Sequence, residues 1–171
     1  IKYSNHMSYR KRIIAFFLFA FVATIKAMKL KGDVIFATST PLTISIPAIF
    51  AAKYKKIPMI FEIRDLWPEM PIAIGALKNP ILKCLARILE AWAYKHSDAI
   101  ITLSPAMKAG VVARGYSPNK TAIIPNASDN HMFKSIEPET QEVRFKRKWL
   151  GSDPFLIYAG TIGRINGISY L

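Results

Sequence analysis

Apolar positions along the chain switch repeatedly between two periods. Short runs rich in β-branched and aromatic residues occur at Asp33–Thr38 (DVIFAT), Pro58–Ile63 (PMIFEI), Ala99–Leu103 (AIITL), Thr121–Ile124 (TAII) and Phe155–Ala159 (FLIYA). Each predicts a strand apolar on both faces. Between them, apolar residues recur at helical spacing over Pro41–Tyr54, Pro80–His96, Pro105–Arg114 and Thr140–Leu150. Proline opens three of these segments, where its missing N–H costs nothing, and Gly115 and Gly151 follow the last two as helix stops. Strands alternating with helices through short loops predict an α/β fold: a Rossmann-like, doubly wound parallel sheet with helices on both faces.

A further apolar run, Ile13–Ile25 (IIAFFLFAFVATI), stands apart because basic residues flank it: Arg10, Lys11 and Arg12 before, Lys26 and Lys29 after. Thirteen residues fall short of the roughly 20 that a membrane-spanning helix needs, and no small-x-small cleavage site follows. Two readings remain open, a buried core helix and a helix pressed into a membrane interface with its lysines on the head groups. Charge changes the picture here. The chain has 24 Lys and Arg against 11 Asp and Glu, a formal net of +13. Such a surplus attracts polyanions: nucleic acid, anionic lipid or phosphorylated substrates. Seven of the basic residues precede Asp33, and no acidic one does. Nucleic-acid binding calls for basic and aromatic residues interleaved on a surface, whereas the aromatics here cluster in apolar runs. The single cysteine, Cys84, lies in an apolar helical stretch and reads as an inert buried thiol in a reduced, cytoplasmic protein.

In open parallel sheets, ligands bind at the carboxyl ends of the strands, where loops and helix N-termini converge. The residues just after the predicted strands are accordingly the candidates for chemistry. They are Ser39 and Thr40; Arg64, Asp65 and Glu69; Ser104; Asn126 and Asp129; and Gly160, Thr161, Gly163 and Arg164. Each has a structural alternative. Ser39 and Ser104 suit helix N-caps, Asn126 and Asp129 suit an Asx turn, and Arg64 and Asp65 suit a local ion pair. Glu62, inside a strand, is expected at a sheet edge or beside a basic partner. Trp67, Pro68 and Pro71 make the loop after Asp65 large and rigid for a mere connection. The series Gly160-x2-Gly163-x3-Gly167 suits a turn whose free amides meet a phosphate. The three histidines lack metal-ligand spacing, one cysteine cannot make the usual zinc motifs, and neither a G-x-S-x-G elbow nor a P-loop occurs.

Together, DVIFATSTPL (33–42), FEIRDLWPEMPIAIGA (61–76), DAIITLS (98–104), IPNASDNHMF (124–133) and YAGTIGRING (158–167) resemble the bacterial family 4 glycosyltransferases of the GT-B class, near the branch that assembles O-antigen and capsule. The resemblance implies two facing Rossmann-like domains, one for the acceptor and one for a nucleotide-activated sugar. It implies retention of anomeric configuration with no obligatory metal and no cofactor, the nucleotide sugar being a substrate. It places residues 1–152 in the acceptor-side domain, with its opening unit missing, and 153–171 at the start of the donor-side domain. Arg64-Asp65 then stands where many relatives carry His-Asp facing the reacting sugar. Ser39, Thr40, Glu69, Ser104 and Asn126 become substrate-binding candidates, and Gly160, Thr161, Gly163 and Arg164 candidates for the donor diphosphate. The expected partners are a nucleotide-sugar donor, a polyprenyl-diphosphate-linked or glycan acceptor, and an anionic membrane surface at the cytoplasmic face of the plasma membrane, but no nucleic acid.

The sequence also departs from the family pattern. Thr161 and Asn166 stand where relatives carry Arg and Lys, leaving Arg164 as the nearby cation, and Ala127-Ser128 replaces Gly-Val. No two glutamates lie eight apart, so the donor Glu-x7-Glu motif is expected beyond Leu171, and the chain by itself is expected to be inactive. A sugar-nucleotide epimerase of the same fold and a noncatalytic membrane-surface module are the competing readings.

Overall fold

The computed structural model describes residues 7–39, 41–132, 148, 151 and 158–160. The chain divides into two compact units, Ile1–Asn126 and Ala127–Leu171. The first opens with α1 (Tyr9–Lys29) and β1 (Ile35–Thr38), followed by a 3-10 turn (Leu42–Ile44) and α2 (Ser45–Lys55). It continues through β2 (Met59–Ile63), α3 (Glu69–Ala73), α4 (Pro80–Lys95), β3 (Ala99–Thr102) and α5 (Pro105–Ala113), then a second 3-10 turn (Pro118–Lys120) and β4 (Thr121–Ile123). The four strands form one parallel sheet in the order β1-β2-β3-β4. This is the α/β, Rossmann-like half that the hydrophobic pattern predicts. The predicted helix Thr140–Leu150, most of the strand Phe155–Ala159 and the polar stretch Ser135–Glu142 lie outside the described residues.

Proline and a polar cap start α4 and α5 as expected, whereas the expected start at Pro41 is a 3-10 turn and α2 begins at Ser45 without a side-chain cap. Asn79 Oδ1 accepts from the amides of Ile81 and Leu82 ahead of α4, and Ser104 Oγ accepts from Met107 N ahead of α5. Both helices carry proline at their first turn. The central strands β2 and β3 alternate strictly between buried and half-buried positions. Ala37, Met59, Phe61, Ile63 and Ile100 are buried with Ala48, Ile49 and Ala52 of α2, Ala93 and Tyr94 of α4, and Val111 of α5. The core is therefore one layer between a single sheet face and three helices. In a strand order without reversal, right-handed crossovers place each helix on the same side. The other face carries Phe36, Ile60, Glu62 and Ile101, half-buried or exposed among the described residues. Among the described residues, the helices α2, α4 and α5 cover one face of the sheet.

Two expectations about side chains are corrected. Glu62 has neither an edge position nor a basic partner in its hydrogen bond: it sits in central β2 and accepts from the Thr38 hydroxyl at 2.8 Å. Cys84 is exposed. It lies on the outer side of α4, because the inner side is taken by Leu89, Ala93 and Tyr94. Of the two readings left open for the Ile13–Ile25 run, the buried core helix is not the one observed: α1 packs one side on α2 and leaves Ile14, Phe17, Leu18 and Phe21 exposed. No helix among the described residues is long and apolar enough to cross a membrane.

One charged group enters the core. Glu90, 3% exposed on α4, accepts from the Tyr94 hydroxyl at 3.0 Å and has Arg114 Nε 3.9 Å away. Burial raises its carboxyl above the ordinary 4.5, against the Tyr94 hydrogen bond and the Arg87 charge, which both lower it. The same burial, with the Glu90 carboxylate, pushes the Tyr94 phenol up. An acid that releases its proton less readily folded than unfolded stabilises the fold below its unfolded pKa, and that contribution is lost as pH rises through the folded one. Glu90→Gln keeps an acceptor for Tyr94 and cannot ionise. Thermal melts across pH should show the variant melting above wild type at neutral pH, with the gap closing below about pH 4.5; a gap that widens on acidification would contradict this.

Candidate active site

Because the four strands run parallel, each ends at the same edge of the sheet, and the segments leaving them are brought together there. Register pairs Thr38 with Glu62 and Ile63 with Thr102, so the segments starting at Ser39, Arg64 and Leu103 leave the sheet at one level. Ile124 N, bonded to Thr102 O at 2.9 Å, brings Asn126 to the same edge. The result is an open cleft of about 520 Å³ lined by Thr38, Ser39, Arg64, Asp65, Leu103 and Asn126. Its size lies within the roughly 300–1,000 Å³ usual for small-molecule sites.

Ser39 is 2% exposed, and its role in the cleft is set by its hydrogen bonds. Its amide donates to Glu62 O at 2.8 Å, and its Oγ accepts from Arg64 N at 3.0 Å. The hydroxyl thus holds the first peptide of the Arg64–Pro68 loop against the end of β1. The far side of that loop is fixed by packing. Leu66 lies on Gly110 of α5, where an added Cβ would come within 3.1 Å of Leu66 Cδ1. Trp67 N donates to Asp65 O at 3.0 Å and Met70 N to Leu66 O at 2.9 Å, leading into α3. Arg64 and Asp65 are therefore carried by a loop anchored at both ends, one anchor polar and one apolar.

The other sequence candidates divide. Asn126 reaches the cleft; Ser104 caps α5 through Oγ. Glu69 lies apart, ion-paired to Arg114 and lying 3.8 Å from Arg87 Nη2. With Leu66, Gly110, Ala113 and Arg114, it lines a separate hollow beside α5. Asp129, described with the second unit, accepts from His131 N at 2.9 Å, the expected Asx turn. Gly160 is exposed, and a Cβ there would meet Tyr158 Oη at 2.8 Å. Thr40, Thr161, Gly163 and Arg164 lie outside the described residues. Sequence reasoning missed Thr38 and Leu103. The signal is present, since each immediately precedes a residue singled out for its place at a strand end. Among the described residues, no three His, Cys, Asp or Glu side chains gather as a metal site would require.

A parallel sheet with a polar cleft at its carboxyl edge defines a small-molecule α/β domain, and comparison with known families gives its class. Residues 6–127 match the glycosyl transferase 4-like domain. The chain belongs to that family and is a glycosyltransferase. No curated protein matches the sequence.

The Ser39–Arg64 bond gives a direct stability test. Ser39→Ala leaves the Arg64 amide without its acceptor in a partly buried position, which costs about 1–3 kcal/mol. Urea unfolding should show a loss of that size, and Ser39→Thr, which restores the hydroxyl, should recover part of it. An alanine variant as stable as wild type would contradict the anchoring role.

Proposed function

We propose that this domain presents the acceptor in a retaining transfer from a nucleotide sugar, with Asp65 at the reaction centre and Arg64 beside it. The observation that carries the proposal is their place in the cleft. Both come directly after β2 on a loop fixed by Ser39 and Gly110, at the edge where parallel sheets hold their ligands. The family supports the class of reaction. The specific steps are our own reading.

During transfer the bond from the anomeric carbon to the diphosphate oxygen breaks, and its electron pair leaves with the diphosphate. The acceptor oxygen then bonds to the same face of that carbon. Positive charge gathers on the sugar ring while negative charge gathers on the leaving group. A fixed carboxylate at the acceptor edge stabilises the first and orients the incoming hydroxyl. The hydroxyl proton passes to the departing phosphate oxygen, with Asp65 sharing it in part. Arg64 offers a forked guanidinium to an acceptor phosphate, which lysine could not match. Asn126 and Thr38 supply amide and hydroxyl groups to sugar oxygens, while Ser39 acts through the loop. On the family resemblance we assign Gly160, Thr161, Gly163 and Arg164 to the donor diphosphate, with no metal or cofactor required. The acceptor we propose is polyprenyl-diphosphate-linked or a growing glycan of a surface polysaccharide such as O-antigen or capsule. It would be met at the cytoplasmic face of the plasma membrane, where α1 supplies basic and apolar contacts.

Asp65→Asn preserves shape and removes charge. In the full-length protein it should lower kcat by about 100-fold or more while the melting temperature stays close to wild type. Turnover at the wild-type rate, or a loss traced to unfolding, would overturn the assignment.

A further inference from the structure

We infer that Glu62 is a positioning residue for ligand binding, an inference that rests on the cleft reading proposed above. It turns the Thr38 hydroxyl into a hydrogen-bond acceptor for a sugar hydroxyl that lies beside the ligand's phosphate. Glu62 is an unusual occupant of its place. It lies in β2, between two parallel neighbours, on the sheet face opposite α2, α4 and α5. Ile60 precedes it on that face, and Ile101 is its register partner on β3. Glutamate is depleted from strands, and a half-buried carboxylate among isoleucines is tolerated only through the bonds it makes. Its side-chain bond is to its register partner on β1: Thr38 Oγ1 donates to Glu62 Oε2 at 2.8 Å.

Thr38 is the last residue of β1 and lines the cleft, whereas Glu62 stands behind it. A threonine hydroxyl has one proton to donate and two lone pairs with which to accept. With its proton on Glu62, Thr38 Oγ1 offers a ligand only lone pairs. The β-branched side chain is stiff at χ1, so the oxygen is held in place before a ligand arrives. The backbone adds a second tie at the same point, since Ser39 N donates to Glu62 O at 2.8 Å. The pair therefore reads a donor on the ligand. An ether oxygen brought to the same point would meet lone pairs and be rejected.

A cross-strand staple would use the same bond, but it gives no reason for a carboxylate. β1 and β2 are already joined through four register pairs, and two β-branched apolar residues would suit the strands better. What such a pair cannot supply is an oriented oxygen at the rim of the cleft. Arg64, two residues beyond Glu62, is exposed at the same rim. A ligand that carries a phosphate next to hydroxyls thus meets a forked cation and a fixed acceptor together. A hexose 1-phosphate is a minimal molecule of that chemistry.

The test is calorimetric titration of the full-length protein with glucose 1-phosphate and with its mono-deoxy and mono-fluoro analogues at each hydroxyl. Neither replacement can donate, and fluorine still accepts weakly. Wild type should bind the parent and lose affinity about three- to tenfold at one hydroxyl, equally for the deoxy and fluoro analogues. Thr38→Val should bind the parent with that loss already made and no longer distinguish it from either analogue. Glu62→Leu frees the Thr38 proton, so the fluoro analogue should bind better than the deoxy one. Glu62→Gln, whose carbonyl still accepts from Thr38, should keep the wild-type pattern. Melting curves check that each variant is folded. Full discrimination in Thr38→Val, or the wild-type pattern in Glu62→Leu, would overturn the role of the pair and leave Asp65 untouched, since that assignment is read in kcat. No binding of glucose 1-phosphate by wild type would overturn both this inference and the place given to the ligand's phosphate.

Discussion

The constraint on which the rest depends is the parallel pairing of β2 between β1 and β3. Its side chains Met59, Phe61 and Ile63 are buried to within 2% of full enclosure on one face. Both neighbours run in the same direction, so each connection must return the chain to the amino end before the next strand begins. Helices are the economical way back, and they collect over the buried face. The residues leaving each strand are forced to the opposite edge, and there the cleft forms. The polar residues meet because the strands cannot end anywhere else.

That geometry explains why the cleft residues play unequal parts. The one deepest in the fold, Ser39, holds the backbone in place, while the less buried Arg64, Asp65 and Asn126 border open space. A loop anchored by a buried hydroxyl at one end and a leucine-on-glycine contact at the other keeps Arg64 and Asp65 in position. Such preorganisation suits a group that must face developing charge without rearranging. Glu69, five residues from Arg64, is turned away by the start of α3 and joins the ion pairs with Arg114 and Arg87 that link α3, α4 and the end of α5.

Much of the fold is legible in the sequence, for reasons that are local. The four described strands start and end within two residues of their predicted bounds, because β-branched runs closed by prolines and polar caps carry their own limits. The strand-end rule by itself locates Arg64, Asp65, Ser39 and Asn126. The features that escape it depend on which neighbour sits where. The five-residue α3 is too short for periodicity to register. Glu62 is expected beside a base because sequence cannot show that Thr38 lies across from it. Cys84 is expected inside because α4 is apolar on two sides, and only packing decides which side faces the core. The same ambiguity hides the outer face of α4, which becomes legible once its inner residues are assigned.

The central claim is that the acceptor meets the reacting sugar at the Arg64–Asp65 edge. A crystal structure of the full-length enzyme with a nucleoside diphosphate and a non-reactive acceptor analogue tests it most directly. The account predicts the acceptor hydroxyl within about 3 Å of an Asp65 carboxylate oxygen, in the cleft bordered by Thr38, Leu103 and Asn126. An acceptor bound elsewhere on the domain, with this cleft filled only by water, would contradict it.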